Sequence, residues 1–186
     1  VASIQFTSGS SGLPKACMLS HLYWMMIGRV RASAGPPPSI MLIDTPMYYM
    51  GPMWRFMMAL DIGATLCVAR RYSLSGMLDR LIDHKIEFSL VTNPVAKLPD
   101  TPRFRQTNLL WLTTYGLSKD LHEGLESRFG VPVREIYGMT EIGPAIRFFV
   151  FDREPDPKRM IHIAKGAPVE TPRRRYTPET LVTQIY

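Results

Sequence analysis

The chain has 186 residues, 46% of them hydrophobic and 20% charged, with a net charge of +6. That length suits one domain or a little more, and the apolar content is enough for a real core, which excludes disorder as a description of the whole. The positive balance suits an anionic ligand or nucleic acid without requiring either.

Read from the start, "VASIQF" opens directly in a strand pattern with no initiator Met, so the chain is expected to begin inside a longer protein. The polar stretch "TSGSSGLPK" (7–15) follows. Leu19, Leu22, Tyr23, Met26, Ile27 and Val30 then recur at helical spacing, and the helix stops at "SAGPPPS", where a glycine and three prolines forbid continuation. "IMLI" (40–43) reads as a strand and "PMWRFMMAL" (52–60) as a short helix. "ATLCVA" (64–69) is a further strand, and "SLSGMLDRLIDHK" (73–85) a helix with a serine cap. "FSLVT" (88–92), "LLWLT" (109–113) and "VREIY" (133–137) read as strands. "SKDLHEGLESRFG" (118–130) reads as a helix capped by Ser118 and stopped by Gly130. Short apolar strands alternating with helices predict an α/β fold of largely parallel sheets flanked by helices, in which ligands bind in loops at the carboxyl ends of strands. The core is expected over residues 1–151. Residues 152–186 read as a loop-rich basic tail that starts a further subdomain, with Arg173, Arg174 and Arg175 clustered near Lys158, Arg159 and Lys165. No aromatic interleaving or reader motif accompanies these cations, so they read as a solvated basic surface and nucleic acid is not an expected partner.

Cys17 and Cys67 show no CxxC spacing, which argues against a disulfide framework or a zinc site and suits a reducing cytosol. His21, His84, His122 and His162 lack the H-E-x-x-H spacing of a metal site and read as ordinary core or surface residues. No uncharged run reaches the roughly 18 apolar residues that cross a bilayer. The expected location is therefore the cytoplasm, with no membrane span.

The stretch from Thr7 to Lys15 carries the first chemistry. Gly9 and Gly12 let the backbone approach a ligand, Thr7, Ser8, Ser10 and Ser11 add hydroxyls, and Lys15 adds a positive charge. A following helix N-terminus would favour the same anion. A Walker A loop needs its lysine directly after the second glycine, but two residues separate Gly12 from Lys15 and Ala16 follows. A serine-hydrolase elbow needs G-x-S-x-G, and Leu13 stands where its last glycine would be. A polar turn without a ligand is the remaining alternative from composition alone.

"FTSGSSGLPKACMLSH" (6–21) resembles the phosphate loop of the adenylate-forming (AMP-binding) superfamily, which includes acyl-CoA synthetases, peptide-synthetase adenylation domains and luciferases. Ala16 replaces the usual glycine. "EIYGMTEIG" (135–143) resembles the same enzymes' Tyr-Gly-x-Thr-Glu segment. The resemblance implies that Thr7, Ser8, Gly9, Ser10, Ser11, Gly12 and Lys15 cradle phosphates, and that Tyr137, Gly138 and Met139 lie beside the adenine. By the same likeness Thr140 contacts the phosphate nearest the ribose, Glu141 with Thr7 holds Mg²⁺, and Lys15, Thr140 and Glu141 are the catalytic set. "TTYGLSKDL" (113–121) stands where the family lines the base, so Thr114, Tyr115 and Gly116 carry over as nucleotide contacts, although the commoner Gly-Gly-Ala-Pro is missing. "IDTPMYYMGPMW" (43–54) resembles the family's Pro-x-x-His-x-x-Gly segment and places Tyr49 near the acyl substrate. The methionines at 47, 50, 53, 57 and 58 are either plain core or the adaptable lining of an apolar acid pocket.

The implied function is ATP-dependent activation of a carboxylic acid to an acyl-adenylate, then to a thioester. ATP or AMP and Mg²⁺ are the implied cofactors, and CoA or a carrier-protein thiol the acceptor. The likeness covers only the middle of the family pattern. A preceding region, a ribose-binding aspartate, a hinge and a lysine-bearing C-terminal domain are expected as missing N- and C-terminal parts of the same enzyme, and "HIAKGAPVETP" (162–172) faintly resembles the turn before them. The chain as given is accordingly expected to bind nucleotide weakly and not to turn over. The alternative is a non-catalytic nucleotide-binding remnant or regulatory module of the same fold.

Overall fold

The computed structural model describes residues 1–7, 12–141 and 143–149. The expected tail over 152–186 lies outside them.

Two elements come first as a hairpin. β1 (Ser3–Thr7) pairs antiparallel with β2 (Lys15–Leu19), with Thr7 opposite Lys15 and Ser3 opposite Leu19. The expected strand–turn–helix is corrected here: the residues after the loop return as a strand, and Leu19 is the buried end of β2 rather than the first turn of a helix. The helix α1 (His21–Ala32) begins only after Ser20, whose Oγ accepts from the Tyr23 backbone N–H at 3.1 Å. An N-cap hydroxyl satisfies a donor that the helix cannot, so the strand ends and the helix starts there. A full strand therefore separates the Gly/Ser loop from the helix N-terminus, and the expected support from that helix end does not apply.

Among the described residues the main sheet has six strands: β3 (Ile40–Ile43), β4 (Thr65–Val68), β5 (Phe88–Leu90), β6 (Trp111–Thr114), β7 (Val133–Met139) and β8 (Gly143–Phe149). Their order is β4-β3-β5-β6-β7-β8, the first five parallel and β8 antiparallel to β7. The largely parallel α/β architecture expected from the alternation is thus present. Central parallel strands are covered on both faces, which is why "IMLI" is apolar throughout and why even Ser89 of "FSL" and Thr113 and Thr114 of "WLTT" are buried.

Alternate residues nevertheless feed two different cores. Leu42 and Leu112 pack with Met77, Leu81, Leu125 and Phe129, beneath α3 (Met77–Asp83) and α5 (Lys119–Phe129). Met41, Phe88 and Trp111 face the other way, toward Trp24 and Ile27 of α1 and Trp54 and Met58 of α2 (Met50–Ile62). The methionines divide likewise: Met58 is fully buried, Met50, Met53 and Met57 are packed against this core, and Met47 is partly exposed. α2 is longer than expected at both ends and stops at Gly63, which takes the left-handed conformation at φ 73°. Helices α1 and α2 touch backbone to backbone. A Cβ on Gly28 would lie 2.8 Å from the carbonyl carbon and oxygen of Met57.

The serine cap expected for the 73–85 helix acts one turn early. The helix starts at Met77, and Ser73 Oγ accepts from the Gly76 N–H at 3.1 Å. Ser118 is the N-cap of α5 by backbone only, and Gly130 ends that helix in the left-handed region at φ 69°. His122 is a core residue, its Nε2 2.6 Å from the Val133 carbonyl oxygen. Two short helical turns, α4 (Asn93–Ala96) and the 3₁₀ segment Pro102–Gln106, complete the described elements. No helix of the described residues is long and apolar enough to cross a membrane.

Candidate functional site

The strand order fixes where a ligand can sit. From β3 the chain moves outward to β4 and then returns to the other side of β3 as β5, so the direction of winding reverses between β3 and β5. The loops leaving the carboxyl ends of adjacent strands diverge at such a reversal and open a crevice. The loop after β3 (44–49) starts there. Beyond it along the same edge come the turn after β6, with Tyr115 and Gly116, and the turn after β7, with Thr140 and Glu141.

The hairpin joins this edge. Thr7 Oγ1 donates to Glu141 Oε1 at 3.5 Å, so the two segments singled out in the sequence, 134 positions apart, meet in space. Lys15 stands opposite Thr7 across the hairpin, is exposed, and makes no ion pair among the described residues. Gly12, in the loop between them, has φ 88°, a conformation that favours glycine, and no described residue lies within 4 Å of its Cβ position. Ser8, Gly9, Ser10 and Ser11 lie outside the described residues, as does the side chain of Tyr137. Gly138 and Met139 are exposed at the end of β7, and Thr140 is half-buried.

Sequence reasoning took Tyr23 only as an apolar helix position. Its hydroxyl donates to the Thr140 carbonyl oxygen at 2.9 Å, and its ring stands 3.3 Å from a Cβ built on Gly143. Burial pushes the Tyr23 hydroxyl up to about 12, against the pull of Arg31. The Thr-Glu turn is thereby held from α1 by a phenol that stays protonated across the physiological range. No residue spacing within "SHLYWMM" signals that role.

On the β6 side, Thr114 is fully buried and its hydroxyl has no partner among the described residues. Gly116 takes φ 58° with nothing near its Cβ position, which frees the turn from side-chain bulk. Between them Tyr115 is partly exposed, and its hydroxyl accepts from the Trp54 Nε1–H at 3.0 Å.

The loop after β3 is anchored by a buried ion pair that sequence reading missed. Arg55 is wholly buried on α2. It donates to the Leu42 carbonyl at 2.8 Å, to Thr45 Oγ1 at 2.9 Å and to the Gly51 carbonyl at 3.3 Å, and it lies 3.7 Å from Asp44. Burial pushes the Asp44 carboxyl up and Arg55 down; each is partly offset by the charge of the other. An arginine embedded in "PMWRFMMAL" looks like a surface position, and only the fold shows that it bonds both ends of the loop. Tyr49, at the N-cap of α2, and Tyr48 are both exposed, with ring centroids 4.5 Å apart.

The Glu141 carboxylate, the Thr7 hydroxyl and, across the hairpin from Thr7, the exposed Lys15 thus come together near the carboxyl edge of the parallel sheet. The AMP-binding enzyme family matches residues 1–172, and the chain belongs to that family. The chain is 32% identical over 158 residues to the acyl-CoA synthetase ALT10 of Alternaria alternata, a match that takes in 78% of the chain and 27% of that protein. It is 27% identical over 172 residues to 4-coumarate–CoA ligase 1 of Oryza sativa subsp. japonica, covering 83% of the chain and 30% of the ligase. Among solved structures, the luciferase-like enzyme of the nonluminescent mealworm Zophobas morio superimposes with a TM-score of 0.68 at 27% identity, over 78% of this chain and 36% of that one. The chain thus spans less than a third of the length of the two curated relatives.

Proposed function

We propose that this chain forms the ATP- and acid-binding part of an enzyme that activates carboxylic acids as acyl-adenylates and passes them to a thiol, CoA or a carrier protein. The observation that carries the reading is the meeting of Thr7 with Glu141, which joins the Gly/Ser hairpin to the Thr-Glu turn. Three strand spacings of about 4.8 Å separate β3 from β7, so the edge spans about 14 Å, the scale of a nucleotide with an acyl group rather than of a lone phosphate. The two curated relatives are ligases that join acids to CoA, which supports the same chemistry.

In this reading the hairpin loop, with Lys15, takes the β- and γ-phosphates, and Thr140 takes the α-phosphate. Thr114, Tyr115, Gly116, Tyr137, Gly138 and Met139 border the adenosine. The acid lies toward Tyr49. A carboxylate oxygen attacks the α-phosphorus, the acyl–phosphate bond forms, and pyrophosphate leaves with the electron pair of the broken P–O bond. A thiolate then attacks the acyl carbon and AMP leaves. Positive charge and preorganised donors around the phosphates are the protein's main contribution to such a step.

The donor set fits Mg²⁺: a carboxylate and a hydroxyl oxygen on adjacent elements, with the remaining positions left to phosphate and water. Glu141 and Thr7 would hold the ion, which when bound offsets phosphate charge and orients the triphosphate.

The chain spans less than a third of the length of the two relatives named above, and binding is the readout chosen for it. Isothermal titration with a non-hydrolysable acyl-sulfamoyl-adenosine is expected to give saturable 1:1 binding that competes with AMP. No binding of either compound overturns the reading.

A further inference from the structure

Resting on that reading, we infer that the hydrogen bond between Tyr115 and Trp54 is a positioning link between the two sides of the site. A nucleotide seated beside Tyr115 orders the loop after β3 and so prepares the side toward which the acid lies. The two partners stand 61 positions apart and on different elements. Tyr115 follows β6, beside the adenosine, and the Gly116 next to it takes φ 58° with no described residue within 4 Å of its Cβ position. Trp54 lies near the start of α2, just beyond the Tyr49 N-cap.

The link has an open end and a buried end. Tyr115 is 40% exposed, so its ring is the part a ligand reaches; Trp54 is 2% exposed. The indole is packed by Phe88 of β5, with ring centroids 6.0 Å apart, and by the Arg31 guanidinium 5.3 Å from its centroid. Its N–H is donated to the Tyr115 hydroxyl at 3.0 Å. Next along α2 comes Arg55, whose bonds to the Leu42 carbonyl, Thr45 Oγ1 and the Gly51 carbonyl hold both ends of the loop carrying Tyr48 and Tyr49. Burial lowers Arg55, opposed by Asp44 and then by Tyr115, so the phenol also lies in the surroundings of that guanidinium. A buried N–H that loses its acceptor is costly. Movement of the turn after β6 therefore either carries the start of α2 with it or breaks the bond at that cost. An adenosine against the Tyr115 ring restrains this movement, the loop opens less often, and the acid then loses less freedom on binding. Coupling of this kind needs no change of mean structure. It is reciprocal, so the acid strengthens nucleotide binding by the same factor, about 5–150-fold in typical cases.

Hydrogen exchange followed by NMR, with and without saturating AMP, tests the link without an acid. In the wild type, AMP is expected to slow exchange of the Trp54 indole N–H by about fivefold or more. The Tyr49 and Met53 amides, which donate to the Pro46 and Tyr49 carbonyls, should slow by the same factor. Trp54→Phe removes the donor and keeps an aromatic side chain. It is expected to bind AMP within about twofold of wild type, as a buried residue away from the ligand, yet to show no AMP-dependent protection of Tyr49 and Met53. Trp111→Phe is the control for a loosened core. Its indole is equally buried at 2% exposure on the same face of the sheet but donates to the Pro36 carbonyl, so its loss should leave the protection in place. Should Trp54→Phe not fold, Tyr115→Phe removes the same bond from the acceptor side. Three results overturn the inference and leave the proposed function standing: AMP binding without protection of the wild-type loop, protection that survives loss of the bond, or protection lost equally in Trp111→Phe. Failure of AMP alone to bind the wild type also overturns the inference. Failure of both AMP and the acyl-sulfamoyl-adenosine overturns the proposed function with it.

Discussion

The Tyr23 hydroxyl donates to the Thr140 carbonyl oxygen at 2.9 Å, tying the first helix to a turn 117 positions downstream. Because burial lifts this phenol from 10.0 to about 12, the folded protein holds its proton where an unfolded chain would release it. The stabilisation is therefore complete below pH 10 and is lost as pH rises toward about 12. Tyr23→Phe should reduce stability by about 1 kcal/mol at neutral pH, flatten the alkaline limb of the stability profile, and weaken adenylate-mimic binding. Spectrophotometric tyrosine titration with denaturant melts at several pH values checks all three. A variant with an unaltered alkaline limb would show that the phenol is not a buried donor.

Gly28 makes a different prediction, about packing alone. Its missing Cβ leaves room for the Met57 backbone, 2.8 Å from where that atom would stand. Gly28→Ala improves helix propensity by about 1 kcal/mol but forces α1 away from α2. Overpacking of this kind costs about 1–3 kcal/mol, and a rigid backbone neighbour puts it at the upper end. Net destabilisation is expected in urea melts. Gly124→Ala on α5, where nothing lies within 4 Å, should instead stabilise by about 1 kcal/mol.

What the sequence conveyed follows from which forces act locally. The buried parallel strand "IMLI" was legible because burial on both faces favours an unbroken apolar run. The left-handed stop at Gly130 was legible because only glycine adopts it cheaply. The hairpin was not, because "KACML" carries an apolar pattern that suits a helix start and a strand equally. Pairing of Thr7 with Lys15 decided between them, and pairing is not a local property. β8 escaped for a related reason, since its strand is defined by antiparallel pairing with β7. At the site, the glycines, hydroxyls and acidic residue were readable as types. The residues that position them, Tyr23, Trp54 and Arg55, act across more than one element, and their roles exist only after folding.

Arg55 and Asp44 illustrate the cost of such a positioning device. Both are buried, and Arg55 bonds the Leu42 and Gly51 carbonyls on either side of the loop that carries Tyr48 and Tyr49. Removing one partner leaves a buried charge uncompensated, so Asp44→Ala is expected to cost about 3–5 kcal/mol. Replacing both, as Asp44→Leu with Arg55→Met, should cost far less than the sum of the single changes, since a buried pair contributes little net stability. The double variant is still expected to bind acyl mimics more weakly than AMP-normalised wild type, because the loop loses its two carbonyl anchors. Urea melts give the coupling energy and calorimetry the binding. Strict additivity of the two substitutions would contradict the pair.

Glu141 and Thr7 carry the sharpest test of the proposed function. If their oxygens hold Mg²⁺ beside the phosphates, wild-type affinity for ATP rises with Mg²⁺ while affinity for an acyl-sulfamoyl-adenosine, which has no β- and γ-phosphates, does not. Glu141→Gln keeps the shape and an acceptor oxygen but removes the charge. It should reduce the Mg²⁺-dependent gain by at least the roughly tenfold that loss of a supporting contact costs a metal site. Thr7→Val removes a weaker ligand and leaves the strand pairing intact, so its loss should be smaller. The double variant should fall no further than Glu141→Gln alone, because the two oxygens serve one ion. Circular dichroism melts control for folding, and little change in stability is expected, since Glu141 is exposed and its 3.5 Å contact with Thr7 is long. Equal losses for ATP with and without Mg²⁺ would assign Glu141 to the nucleotide itself; no loss in either condition would remove it from the site.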